Sequence, residues 1–408
     1  MQLPRPVKQI LIVAALTLLG SVARAEQHFD LLQGDGRVSE FYKWDGELPS
    51  AGQLLRREEL PSILALSEAA QSVRILYSST DGIDGKTPIA VSGALFLPKG
   101  TPPAGGGWPL IAWAHGTVGV ADICAPSWQG RSYRDVLYLN SWLSQGYAVV
   151  ATDYQGLGTP GPHPYLAPRP EAYGVLDSVR AALHATPQLS GKVVIVGQSQ
   201  GAGAAFATAA FAPQYAPELD IRGTVATGIP YFNESWLASS SSTLSDKVDP
   251  TIAYLLYISL FQLQLDPHLA STDLLTEKAL PVLEQARSKC IGAVESDVVA
   301  AGLTRANSVK ALYAQTLKKN LGSFLFPTVK LNQPIFIGTG EEDKDVPPSM
   351  QRHLVDDACA AGTLVEAHVY RGLSHSGTVN ASLKDSSPFV RKVLQGEEVA
   401  KNCTPEPQ

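Results

Sequence analysis

Val193-Val194-Ile195-Val196-Gly197-Gln198-Ser199-Gln200-Gly201-Ala202-Gly203-Ala204 sets four β-branched residues ahead of a Gly-x-Ser-x-Gly turn, and small residues continue after it to Ala210. The first part reads as a short buried strand and the last as a helix. Strand, sharp turn and helix in that order expose a serine hydroxyl on a strained backbone, and glycines two before and two after it keep strand and helix from colliding. The pattern occurs once in the chain.

On both sides apolar runs alternate with helical patterns, the signature of a mostly parallel sheet covered by helices. Upstream, residues 74–79 and 89–97 read as an antiparallel pair at the sheet edge. Residues 110–114 read as a strand ending at His115-Gly116-Thr117. A helix over 132–145 leads to a strand over 147–152 ending at Asp153, then to a helix over 171–185. Downstream of the helix at 201–211, strands are predicted at 221–226, 334–337 and 364–369, with a helix at 348–360. From 231 to 327 the alternation stops. Residues 251–265 are apolar almost all round, as in a helix buried on most sides, and 273–289 and 308–319 read as further helices. The predicted class is α/β, with an N-terminal arm (26–72), a core in two parts (73–230 and 328–408, the latter with a C-terminal tail) and a helical cap (231–327) that supplies an apolar pocket.

A serine becomes nucleophilic when a base takes its proton and a third group orients that base. In this topology the acid and then the histidine follow the serine, each after a later strand. After strand 334–337 comes Gly338-Thr339-Gly340-Glu341-Glu342-Asp343-Lys344-Asp345-Val346-Pro347, where Asp343 is the expected acid and Asp345 the second choice. Glu341 and Glu342 read as solvated surface charges. The expected base is His375, in a loop just past the last strand. His368 lies inside that strand, His353 on the preceding helix, and His184 and His268 away from any strand end. The oxyanion donors expected are the N–H groups of Gln200, directly after the serine, and Thr117, with His115 bracing its loop. The loop from Asp153 to Tyr165 forms a wall in which His163 and Tyr165 are candidate substrate contacts. Its glycines lack the spacing and the following helix of a dinucleotide site.

The chain has 408 residues, ample for a core domain with an insertion. Residues 1–25 read as a signal peptide: Arg5 and Lys8 precede an apolar run over 10–19, and Ala23-Arg24-Ala25 precedes Glu26. Its removal takes three positive charges and no negative ones, so the formal charge moves from −6 to about −9. An acidic protein without a basic cluster argues against a nucleic-acid partner, and no segment is long enough for a stable membrane span. Cys124, Cys290, Cys359 and Cys403 suggest two disulfides in an exported chain, with three pairings open. Their spacing matches no zinc site, and neither metal nor cofactor is expected.

From Val73 to Cys403 the chain resembles the α/β-hydrolase fold and, within it, the secretory lipases of the lipase A type. The likeness rests on Cys124-Ala125-Pro126-Ser127, on Gly146-Tyr147-Ala148-Val149-Val150-Ala151-Thr152-Asp153, and on the serine turn. It continues in Gln214-Tyr215-Ala216-Pro217-Glu218-Leu219 and in Asp343-x-x-Val-Pro, with a helical insertion before the acid loop. The resemblance implies Ser199, Asp343 and His375 as a triad, hydrolysis of acyl esters or lipids, and disulfides Cys124–Cys290 and Cys359–Cys403. A peptidase or acyltransferase on the same fold, or a non-catalytic binding module, is the alternative.

Overall fold

Among the described residues nine strands form one sheet in the order β1-β2-β3-β5-β4-β6-β7-β8-β9. They are β1 (Leu54–Glu59), β2 (Ala69–Thr80), β3 (Pro88–Pro98), β4 (Trp108–Ala114), β5 (Ala148–Thr152), β6 (Leu189–Gln198), β7 (Asp220–Thr227), β8 (Ile335–Gly340) and β9 (Val365–Tyr370). The computed structural model describes residues 36–240 and 245–408, so the expected signal peptide lies outside the described residues. Pairing is antiparallel from β1 through β3 to β5 and parallel from β5 to β9. The central strands are buried on both faces, which is why they read as continuous apolar runs.

The expected edge pair, β2 and β3, is antiparallel, yet the edge itself is β1, contributed by the segment read as an arm. Leu54-Leu55-Arg56-Arg57-Glu58-Glu59 lacks apolar alternation because it is an edge strand whose side chains are half-buried or exposed.

Before the insertion come α1 (Pro126–Gln129), α2 (Tyr133–Ser144), α3 (Pro168–Ala185) and α4 (Gln200–Tyr215). Ser132 caps α2, its hydroxyl accepting from Asp135 N–H at 3.2 Å. Between β7 and β8 lie α5 (Glu234–Ser240), α6 (Ile252–Leu265), α7 (Ser271–Leu274), α8 (Leu280–Ala286), α9 (Ile291–Ala300), α10 (Arg305–Ser308) and α11 (Ala311–Lys319). They close over their own apolar core, which Tyr165 and Ala167 join from the loop after β5. The single helix expected over 273–289 is two, because Leu275 bridges to Val309 and Pro281 opens a new first turn.

The chain ends with α12 (Pro348–Ala360), α13 (His375–Ala381) and α14 (Leu383–Gln395). Disulfides join Cys124 to Cys290 and Cys359 to Cys403, with Cα–Cα distances of 5.4 and 6.2 Å. The first ties the loop after β4 to the insertion, and the second ties the tail to α12.

Candidate active site

Ser199 stands between β6 and α4 with φ 56° and ψ −123°. A non-glycine residue held there costs on the order of 1–3 kcal/mol, a strain that only over-determined surroundings maintain. Those surroundings are explicit. Ser199 N–H donates to Thr227 O at 2.9 Å, and Ala202 N–H donates to Ser199 O at 2.8 Å. A Cβ on Gly197 would lie 1.9 Å from Gly201 O, and one on Gly201 would lie 1.9 Å from Ala114 O. The two glycines are there because β4, β6 and α4 approach backbone to backbone.

Asp343 lies in the turn after β8, buried, with Oδ2 2.7 Å from His375 Nδ1. Its Oδ1 accepts the N–H groups of Asp345 at 3.0 Å and Val346 at 2.9 Å, and Oδ2 also accepts Gln351 Nε2–H at 2.9 Å. A carboxylate so fully occupied is fixed in place. The tautomer follows: Nδ1–H donates to Asp343 and Nε2 carries the lone pair. His375 was expected in a loop; it is the first residue of α13, whose N-cap Ser374 accepts from Gly377 N–H at 3.3 Å. At the end of β7, Gly228 (φ +65°) leaves the ring its space, since a Cβ there would sit 2.5 Å from His375 Cε1. The contact on His375 Nε2 is Gln198 Nε2 at 2.9 Å, and among the described residues no hydrogen bond joins Ser199 Oγ to the ring.

Asp345 accepts Tyr254 O–H from α6 at 2.9 Å. Asp343, Asp345 and His375 each bring a ligand atom within 4.8 Å of the others, but the His375–Asp343 hydrogen bond already uses Nδ1. Glu341 accepts Gly372 N–H at the surface, and Glu342 is exposed. His368 stacks on Phe336 at 4.9 Å, while His184, His268 and His353 are exposed.

Of the two expected oxyanion donors, the Gln200 N–H opens α4, where helix donors lack intrahelical partners. Thr117 follows β4, its hydroxyl 2.6 Å from Tyr165 O–H. His115 braces this loop through Gly116 O at 2.7 Å and a ring contact with Tyr154 at 4.3 Å. His163, a candidate for substrate contact, has both nitrogens engaged. Nδ1–H donates to Gln155 O at 2.9 Å, and Nε2 accepts from Gln200 Nε2 at 2.8 Å. The other amide hydrogen of Gln200 goes to Glu171 Oε1 at 2.8 Å. Burial holds His163 down at about 4 and pushes Glu171 up to about 8, the latter against the pull of its hydrogen bonds from Gln200 and Leu166. Glu171 escaped the sequence reading because an acid in the first turn of a helix is ordinary.

A family model of secretory lipases matches residues 132–383. A secreted triacylglycerol lipase of Malassezia furfur is 26% identical over 309 residues, covering 69% of this chain and 63% of that one. The chain matches only 21%, 63% and 39% of the lengths of its first curated relatives. Candida antarctica lipase A in its closed state superposes with TM-score 0.71 at 22% identity, over 92% of this chain and 90% of that one. The rice cell wall degrading esterase LipA of Xanthomonas oryzae gives TM-score 0.66 at 20% identity, over 86% of this chain and all (100%) of its own. At such identities the likeness establishes the α/β-hydrolase fold.

Proposed function

Because the chain belongs to the secretory lipase family, we propose that it is an exported serine ester hydrolase acting on acyl esters, lipids among them. Ser199 Oγ attacks the acyl carbonyl as His375 Nε2 takes its proton. His375 passes that proton to the leaving alcohol, leaving an acyl-enzyme that water attacks in a second round on the same base. Asp343 holds the Nδ1–H tautomer and offsets the charge of the imidazolium. The N–H groups of Gln200 and Thr117 stabilise the oxyanion, each contributing on the order of 3 kcal/mol to the transition state. No step calls for a metal or cofactor.

The observation that carries this reading is the conjunction of a strained Ser199 with the Asp343–His375 pair at 2.7 Å, each just past a strand of the parallel part of the sheet. The preference for an acyl chain over a bulky polar group is argued from the apolar composition of residues 251–265. Initial rates on p-nitrophenyl esters from C2 to C16, with Ser199→Ala as control, test it. The expected result is turnover peaking at short or medium chains and at least about 10⁴-fold lower kcat in the variant. A peak at long chains that rises at an emulsion interface would identify a lipase with a working cap. No turnover at any length would overturn the reading in favour of a peptidase, an acyltransferase or a binding module. Recovery of the chain from culture medium rather than a periplasmic fraction would distinguish full secretion from export alone.

A further inference from the structure

The nitrogen that must take the serine's proton is occupied by a neighbour. Gln198 Nε2 lies 2.9 Å from His375 Nε2. Gln198 Oε1 accepts Arg134 Nη2–H at 2.8 Å, which fixes the amide with its NH₂ toward the ring. Asp343 holds the proton on Nδ1, so the Gln198 contact is an N–H donated to the in-plane lone pair of Nε2. A ring nitrogen has one such pair, and the Ser199 hydroxyl needs it.

The surroundings are built around this amide. Gln198 is buried, and a Cβ on Gly116 would lie 2.2 Å from its Oε1, so the oxyanion loop carries a glycine where the amide passes. Arg134 bridges two elements: its Nε–H donates to Asp135 at 2.8 Å, its Nη1–H to Ser376 Oγ at 3.2 Å, and its carbonyl accepts Asn380 Nδ2–H at 3.1 Å. The guanidinium thus spans α2 and α13, the helix that starts with the base.

Resting on the serine-hydrolase reading, we propose that Gln198 is a latch on the base: it competes with Ser199 for the His375 Nε2 lone pair, and attack requires the amide to give way. Release is a rotation of the Gln198 amide that breaks the N–H···N bond, and with it the Arg134 Nη2–H···Oε1 bond that holds the amide, while Ser199 O–H···N forms. The latch favours the unprotonated ring, because an N–H donor facing Nε2 cannot accept from an imidazolium. Charged groups around the ring are Asp343 and Asp345 from the loop after β8 and, behind the amide, Arg134 from α2. The two carboxylates act on the ring equally with or without the latch.

The test is the rate of Ser199 labelling by a fluorophosphonate across pH in the full chain, for wild type, Gln198→Met and Arg134→Met, with melting temperature as the folding control. Gln198→Met keeps shape and removes the donor. Its plateau rate is expected to rise severalfold and its acidic limb to move up by about half a unit to one unit, the equivalent of one lost hydrogen bond to the neutral ring. Arg134→Met is expected to raise the plateau rate by less, and that rate, not the limb, which loss of the cation also moves, carries the test if Gln198→Met does not fold. A folded Gln198→Met with unchanged rate and limb, or with a slower rate and an unmoved limb, would overturn the latch. An unlabelled wild type would overturn the serine-hydrolase reading instead.

Discussion

A carboxyl group held away from water keeps its proton, and Glu171 is held there beside Gln200 and Leu166. Its folded value of about 8 stands well above the ordinary 4.5. Between those two pH values the native state binds more protons than the unfolded chain, so stability falls as pH rises through the window, and the full penalty is present above about 8. Glu171→Gln removes the titration while its amide oxygen can still accept from Gln200. The variant is expected to unfold at higher denaturant than wild type at pH 9, by up to about 5 kcal/mol, with the gap closing toward pH 4.5. His163, whose folded value is depressed, titrates alike in both proteins and cancels. A gap independent of pH would show that Glu171 is not the group responsible. That Ser199, Asp343 and His375 stand just past strands was legible in the sequence, because apolar runs announce β6, β8 and β9. Glu171 and Gln198 were not, because what matters about them is a contact with a residue 29 or 177 positions away. Neither position departs from what its strand or helix would ordinarily carry.

Helix α6 shows what a single element can reveal and conceal. Its apolar surface all round announced burial, and most of it is buried in the core of the insertion. Its polar exception is the informative part: Tyr254 donates from the cap to Asp345, two residues from the acid, and Tyr257 meets Tyr165 beside the Thr117 hydroxyl. Helix α6 therefore touches both the loop after β8 and the loop after β5 through tyrosines, a pairing that no local pattern encodes. Tyr254→Phe removes one hydrogen bond to a partly buried carboxylate, worth about 1 kcal/mol. Amide exchange over residues 252–265 should accelerate about fivefold while the amides of β6 keep their protection. Equal acceleration in both would mean that cap and core open as one unit and that the Tyr254–Asp345 contact does not latch them.

Across the whole molecule the fold's liabilities are the two edges of its sheet. The β1 edge is charged. The β9 edge is covered by the tail, where Asn402 N–H donates to Val365 O at 2.8 Å, Ala367 N–H to Asn402 O at 3.0 Å and Gln408 N–H to Val369 O at 2.9 Å. The parallel core was readable from period and composition. This strand-like tail was not, because Asn402-Cys403-Thr404-Pro405-Glu406-Pro407-Gln408 has no strand composition and owes its course to the disulfide and to β9. Cys359–Cys403 closes a separation of 44 residues, which in the chain-entropy account contributes roughly 4 kcal/mol. Replacing both cysteines, Cys359→Ser with Cys403→Ser, should lower stability to denaturant by about that amount and free an edge for intermolecular pairing, seen as time-dependent light scattering at micromolar concentration. Because Ser199, Asp343 and His375 are anchored on β6, β8 and α13 and not on the tail, kcat/KM of the monomeric fraction at 25 °C should stay within about twofold of wild type. A large loss of kcat/KM without loss of stability would show instead that the tail positions His375 through β9, making the disulfide part of the site's alignment and not only of its endurance.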